Sequence, residues 1–318
     1  MSLFEQAAKE ADRLKMYIFG DAGTGKTRTS LQFPNPALID SERGSLHYGD
    51  EFDFYRLETS DPDIVNEAID ELLNDPGDFK TIIIDSITAI YDQMVINKEM
   101  RMKEKKGDIH YEIQPLDYKS IKTDVRILMD KLLSLDLNVI MTARSKAEYQ
   151  PGEFMKQIGN KPEGHKDLPY MFDVVLELTV REDGTRMARV DNKDRTGKLP
   201  HEFEFSYEAF KEYIGIEALE RDADQEKQEE DLSKRTGRST KITLDGDQIY
   251  TAGVTAETLK SLEKAVAPYD PEDLREVLKE NYEVESLLDL DESAAENFLR
   301  GVIEEQAEGL EEDEDSQE

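Results

Sequence analysis

The chain contains no cysteine, which excludes a disulfide framework and any cysteine-ligated zinc or iron–sulfur centre. It has four histidines, His47, His110, His165 and His201, and their scatter lacks the helical or finger spacing of a histidine metal site. Long apolar runs are missing as well. None approaches the roughly 20 residues needed to span a bilayer, and the first residues, MSLFEQAAKEADRLK, carry acids where a secretory signal would carry bases. The expectation is a soluble cytoplasmic protein with no membrane partner. Positive charge is scarce: 40 Lys and Arg stand against 73 Asp and Glu, a net of −33. Spread evenly, that charge would argue against nonspecific nucleic-acid binding, which needs Lys and Arg at phosphates. The spread is uneven. Residues 217–318 hold 32 acids and 11 bases against 41 and 29 in residues 1–216, so the first part is only mildly acidic.

What is present is enough chain, 318 residues, for one sizeable core and a small appended module. In residues 1–216 a short amphipathic helix at Ser2–Leu14 precedes a strand at Lys15–Phe19. Further short apolar runs follow at Ala37–Ile39, Thr81–Ile84, Asn138–Thr142 and Asp173–Val180. Between several of them, Asp63–Leu73, Ile87–Arg101 and Tyr118–Leu135 repeat apolar residues at three- and four-residue intervals. Strands alternating with helices predict an α/β core with a mostly parallel sheet covered on both faces. Residues 217–240 form a charged stretch without an apolar face and read as a linker. Apolar periodicity returns over residues 241–303, at Leu259, Leu262, Val266, Leu274, Leu278 and Phe298 among others, predicting a small helical module. Residues 304–318 carry nine acids and no base, the composition of a disordered tail.

The segment Gly20–Thr27, GDAGTGKT, matches G-x-x-x-x-G-K-[ST] at every fixed position and lies between a predicted strand and a predicted helix. Its glycines let the backbone curl so that successive N–H groups converge on an anion at a helix N-terminus. Gly20, Asp21, Ala22, Gly23, Thr24, Gly25, Lys26, Thr27 and Arg28 are thus the expected nucleotide-binding set. Lys26 is aimed at the β- and γ-phosphates of ATP and the Thr27 hydroxyl at Mg²⁺. Such a loop needs an acid at the end of a neighbouring buried strand to hold the magnesium shell. TIIIDS supplies Asp85, with Ser86 as a secondary candidate. In PALIDSERG, Asp40 and Glu42 follow the first strand after the loop. Ligands of open α/β sheets bind at the carboxyl ends of strands, so these acids belong near the γ-phosphate, where a carboxylate can deprotonate a water. A solvent-facing acid is the plain alternative.

ALIDSE resembles the strand of RecA-family ATPases that ends in the catalytic glutamate, a role the resemblance carries onto Glu42. TARSKAEY places Thr142 and Arg144 where RecA-like proteins put a residue sensing the γ-phosphate, although RecA has a glutamine there. VDNKDRTG resembles the KNRFG-like element of RecA-type and RadA-type proteins, with Lys193 and Arg195 as its basic pair. In that family such residues reach the nucleotide of an adjacent subunit, which implies a homo-oligomer. Residues 15–216 as a whole are similar to phage-encoded RecA-like P-loop ATPases, AAA-type nucleotide-binding proteins including core-only recombinases of the Sak type. The resemblance implies ATP hydrolysis with Mg²⁺, coupled to single-stranded DNA in phage-type recombination or replication, in the host cytoplasm.

Two regions would carry the DNA in such a fold. The first holds Lys98, Arg101, Lys103, Lys105 and Lys106; the second, Arg144–Lys166, holds five bases with Tyr149 and Phe154 for base stacking and Gly152, Gly159 and Gly164 for flexibility. A solvated charged face has the same composition. The C-terminal module resembles helical segments at the ends of phage recombination proteins, and it or the acidic tail would recruit a recombination or replication partner. Two other functions stay open: an ATP-gated binding or assembly protein with negligible turnover, and a small-molecule phosphotransferase, for which no arginine-rich lid is apparent.

Overall fold

The computed structural model describes residues 13–150, 156–236, 241–244, 247–250 and 256–282, together with 284, 287, 290, 294–295 and 297–302. The chain divides into two units, residues 1–224 and 225–318. In the first unit the elements run β1 (Lys15–Gly20), α1 (Lys26–Ser30), β2 (Pro36–Asp40), β3 (Tyr55–Leu57), α2 (Pro62–Asn74), β4 (Thr81–Asp85), α3 (Ile87–Lys106) and α4 (Asp117–Ser134). They continue with β5 (Asn138–Tyr149), β6 (Gln157–Pro162), α5 (Leu168–Met171), β7 (Val174–Val180), β8 (Arg186–Asp194), β9 (Glu202–Glu204), α6 (Tyr207–Tyr213) and α7 (Ile216–Glu220). The expected helix at Ser2–Leu14 lies outside the described residues except for its last two positions.

The sheet has the order β3-β2-β4-β5-β1-β7-β8-β9. From β3 to β7 every pairing is parallel, while β7, β8 and β9 pair antiparallel. Strands covered on both faces read as continuous apolar runs, and all six residues of β1 and all five of β4 are buried. Parallel strands all end at the same edge. Gly20, Asp40 and Asp85 therefore come to one edge, with Asp40 paired to Asp85 across β2 and β4 and Gly20 to Arg144 across β1 and β5.

Local signals set the boundaries. Asp61 caps α2 by accepting from the Asp63 N–H at 3.0 Å, with Pro62 in the first helical turn. Below the β7–β8 side of the sheet, Leu31 and Phe33, which follow α1, pack with Phe203, Phe205 and Phe210; the Phe33 and Phe210 rings lie 5.4 Å apart.

Three sequence expectations change here. Residues 217–224 belong to the first unit rather than to a linker, because Ala218 and Leu219 are buried and Arg221 makes a two-pronged ion pair with the buried Asp136. A solitary apolar pair in a charged stretch has no visible face by periodicity, yet two side chains suffice when they close an existing core. The expected first DNA loop is instead the second half of α3, whose burial stops at Met94. The expected flexible second loop is largely a hairpin, since β5 runs on to Tyr149 and pairs antiparallel with β6; Gly152 and Phe154 lie outside the described residues.

The second unit begins with α8 (Gln225–Thr236), in which Gln228 and Leu232 are fully buried. Two short strands follow, β10 (Lys241–Leu244) and β11 (Asp247–Tyr250), paired antiparallel where helix was expected. The alternation of Ile242 and Leu244 carries that strand signal in four residues, too few to outweigh a helical reading. Helices α9 (Ala256–Val266) and α10 (Pro271–Tyr282) supply Leu262 and Leu278 to a small core with Leu290, Ala295, Phe298 and Val302. The acidic tail lies outside the described residues. Among the described residues no helix is long and apolar enough to cross a membrane.

Candidate nucleotide-binding site

The loop from Gly20 to Gly25 joins the end of β1 to the start of α1. Gly25 has φ +88°, a left-handed conformation that other residues adopt at a cost. Gly20 is required for a different reason: a Cβ there would stand 2.6 Å from the Leu178 backbone oxygen of β7. Lys26 folds back over the loop, donating from Nζ to the backbone oxygens of Gly20 at 2.7 Å and Asp21 at 3.0 Å. Burial lowers its pKa, opposed by the charges of Asp85, Glu42 and Asp21. Backbone oxygens hold the ammonium weakly compared with a phosphate, so the side chain is stored beside the place where an anion would draw it.

Asp85 stands at the centre of the acidic side. Its Oδ2 accepts from the Thr27 hydroxyl and its Oδ1 from the Thr142 hydroxyl, joining the loop, β4 and β5. Burial raises its pKa, and these two hydroxyl bonds act in the opposite direction. A carboxylate and a hydroxyl side by side are hard oxygen donors suited to Mg²⁺, which keeps several waters and takes substrate phosphates as further ligands. No cluster of three or more His, Asp or Glu capable of holding a metal occurs among the described residues.

The two acids after β2 have different fates. Asp40 is buried and both its oxygens are engaged: Oδ1 accepts from the Gly44 N–H at 3.0 Å, Oδ2 from the Ser45 N–H at 2.9 Å and from the Ser45 hydroxyl. It shapes the turn that carries Glu42. Glu42 is partly exposed and its Oε1 accepts from the Ser86 hydroxyl and from Arg144 Nε at 3.1 Å. Arg144 in turn is fixed through its backbone, whose N–H donates to the Thr88 hydroxyl at 3.1 Å. Its pKa is raised chiefly by the bond to Glu42. Thr27 with Asp85, and Glu42 with Arg144, thus form two bonded pairs on the β2–β4–β5 side of the loop, both within electrostatic reach of Lys26.

Three of the expected basic residues lie elsewhere. The Arg28 side chain turns away from the loop to pair with Glu51 at the surface, Nε to Oε1 at 3.1 Å, which leaves its backbone as its contribution to a nucleotide. Lys193 donates to the backbone oxygens of Pro169 at 3.0 Å and Tyr170 at 2.7 Å, and Arg195 to Asp173 at 3.3 Å. Both thus serve the last carbonyls of α5 and the start of β7. Val174 pairs with Asp194 and Val180 with Arg186, so the basic pair stands about 20 Å of strand below the loop edge.

Other residues at the site had no sequence signal. The Ser145 hydroxyl donates to Asp21, tying the β5–β6 hairpin to the loop, and the Ser41 hydroxyl donates to the Ser86 backbone oxygen at 2.8 Å. Arg186, the first residue of β8, lies directly over Gly25, where an added Cβ would meet its Nε at 2.1 Å. A cleft of about 470 Å³ opens between Gly20–Thr24 and Glu177–Val180. Two acids line it: Glu177, held by Asn160 at 2.9 Å and by Arg189, and Asp21, which accepts from the Ser145 hydroxyl.

The model of the AAA domain family matches residues 12–198, more than half of the chain, spanning the loop, Glu42, Asp85, Arg144 and the β8 basic pair. A search of curated proteins finds no match.

Proposed function

Because the chain belongs to the AAA-domain family of P-loop ATPases, we propose that it binds ATP with Mg²⁺ at residues 20–28 and hydrolyses it, with Glu42 as the general base. The observation that supports this most strongly is the joining of α1, β4 and β5 at one carboxylate, Asp85, beside a second acid, Glu42, held by Ser86 and Arg144. Thr27 and Asp85 are the residues that would hold Mg²⁺, which would supply positive charge to neutralise the phosphates. Lys26 leaves the carbonyls of Gly20 and Asp21 for the phosphates, which offer it a full negative charge. Arg144 lets go of Glu42 and meets the terminal phosphate, which frees the carboxylate to take a proton from an attacking water. A binding or assembly switch without turnover would not need that acid. Titration of ATP and ADP by calorimetry, followed by phosphate release with wild type and Glu42→Gln, tests the reading. Tight binding with negligible release from the wild type would favour the switch.

The same proposal extends to single-stranded DNA and a homo-oligomer. On α3 the basic residues are partly committed: Lys103 pairs with Glu99, Arg101 lies 3.8 Å from Asp63, and Lys106 covers the Tyr111 ring at 4.0 Å. The β5–β6 hairpin is the better DNA surface. It exposes Tyr149 for stacking and reaches the site directly through Arg144 and Ser145. Lys193 and Arg195, remote from their own loop, suit a neighbouring subunit's nucleotide. Phage-type recombination or replication in the host cytoplasm is the setting this activity fits, with the C-terminal module or tail recruiting a partner. Stimulation of hydrolysis by single-stranded DNA, falling with salt, is the test.

A further inference from the structure

Arg186 has three properties that its neighbours on β8 do not share. Its Nε is buried and has no hydrogen-bond acceptor, and the side chain makes no ion pair among the described residues. It lies against the phosphate loop, with Nε, Cδ and Cζ all within 3.2 Å of the place a Gly25 Cβ would occupy. It also caps an apolar sheet face: two residues on, Ala188 is fully buried in the core that contains Leu31 and Phe33, and the Arg186 backbone oxygen accepts from the Phe205 N–H at 2.9 Å. The backbone is thus pinned in the sheet while the buried guanidinium Nε is left without an acceptor. By contrast, Arg189 on the same strand pairs with Glu177, and Arg195 pairs with Asp173.

The side of the loop on which it sits decides what it would meet. Strand order places β4 and β5 on one flank of β1 and β7 and β8 on the other. The carboxylates and Arg144, which define the terminal-phosphate end, are on the first flank. A nucleotide anchored with its terminal phosphate there must run its other end toward the second flank. Resting on the nucleotide-binding reading above, we propose that Arg186 is a binding residue for the α-phosphate end of the nucleotide, acting within its own subunit. A guanidinium is matched to phosphate oxygens, and a buried donor without an acceptor gains fully when one arrives.

This role predicts a pattern that a γ-phosphate sensor does not give. The α-phosphate is common to ATP and ADP, so Arg186→Gln should weaken both by the same factor, about tenfold or more for a charge-assisted bond. Arg144→Gln, at the other end, should weaken ATP more than ADP. Kd values for both nucleotides are measured by calorimetry on the full chain, alongside the melting temperature of the nucleotide-free protein. With no protein partner to lose, Arg186→Gln should melt no lower than wild type. Unchanged Kd values in a variant that melts lower make Arg186 a packing residue and overturn the proposal. A selective loss of ATP affinity overturns the α-phosphate assignment. Failure of the wild type to bind either nucleotide refutes the underlying reading instead, and is told apart by being independent of Arg186.

Discussion

The two flanks of the phosphate loop differ in how they present charge. On the β2–β4–β5 flank, acids and Arg144 come from the carboxyl ends of parallel strands, or just beyond them for Glu42, and converge on Thr27 and Lys26. On the β7–β8 flank, β8 runs the other way. Its first residue, Arg186, reaches the loop, and its last residues, including Lys193, serve α5 at the opposite edge. In a parallel sheet the position of a residue within its strand gives its height in the fold. One antiparallel strand inverts that rule, so two basic groups seven residues apart in sequence, Arg186 and Lys193, stand at opposite edges.

The largest effects should come from the first flank. Glu42→Gln is expected to lower turnover about a hundredfold or more while nucleotide affinity holds, the scale of losing a general base, as read from steady-state phosphate release against calorimetric Kd. Lys26→Ala should abolish measurable binding while far-UV circular dichroism stays unchanged, since the ammonium bonds only to loop carbonyls that water can satisfy. If Glu42→Gln turns over normally, the base lies elsewhere. Asp40 is then a poor substitute, because both of its oxygens are already bonded in the turn.

The lower edge of the second flank should respond in proportion to assembly. Arg195→Ala is expected to leave ATP affinity of dilute protein unchanged and to reduce hydrolysis only where subunits associate. Mixing it with Lys26→Ala gives a sharp readout: recovered activity requires one intact loop to be served by the other subunit's Arg195. No recovery, with mixed oligomers demonstrated by native mass spectrometry, would leave Arg195 as a cap on α5 and nothing more.

The loop, Asp85 and the strand carrying Glu42 were legible in the sequence because each combines a buried apolar run with a polar residue at its end, a pattern that fixes both element and edge. Arg186 was not legible. REDGTR reads as a charged turn, and only the pairing of Val180 with Arg186 reveals that this turn lies at the nucleotide edge. Asp40 shows the converse: by position it equals Glu42 as a candidate, and only its bonds to Gly44 and Ser45 separate the acid that builds the turn from the one that it presents. The α7 segment was hidden for a third reason. Its attachment depends on Arg221 meeting Asp136, a contact between residues far apart in sequence that no local window contains.

The smallest effect is expected at Arg28, and it sharpens the comparison because Arg28 and Arg186 both lie at α1. Sequence position alone favours Arg28, which directly follows Thr27, the residue proposed to hold Mg²⁺. Its side chain, however, is held outward by Glu51 on the exposed face of the helix, where a pair in water gains little over the same groups solvated separately. Its backbone N–H survives any substitution other than proline. Arg28→Ala should therefore leave ATP and ADP affinity within about twofold of wild type, against the roughly tenfold expected at Arg186. Calorimetric titrations of the two variants under identical salt make the comparison. A large loss at Arg28 with none at Arg186 would mean that the Glu51 pair opens on binding and that the nucleotide is gripped from the outer face of α1. The β8 arginine would then be a spectator, and the proposed direction of the nucleotide across the loop would need to be revised.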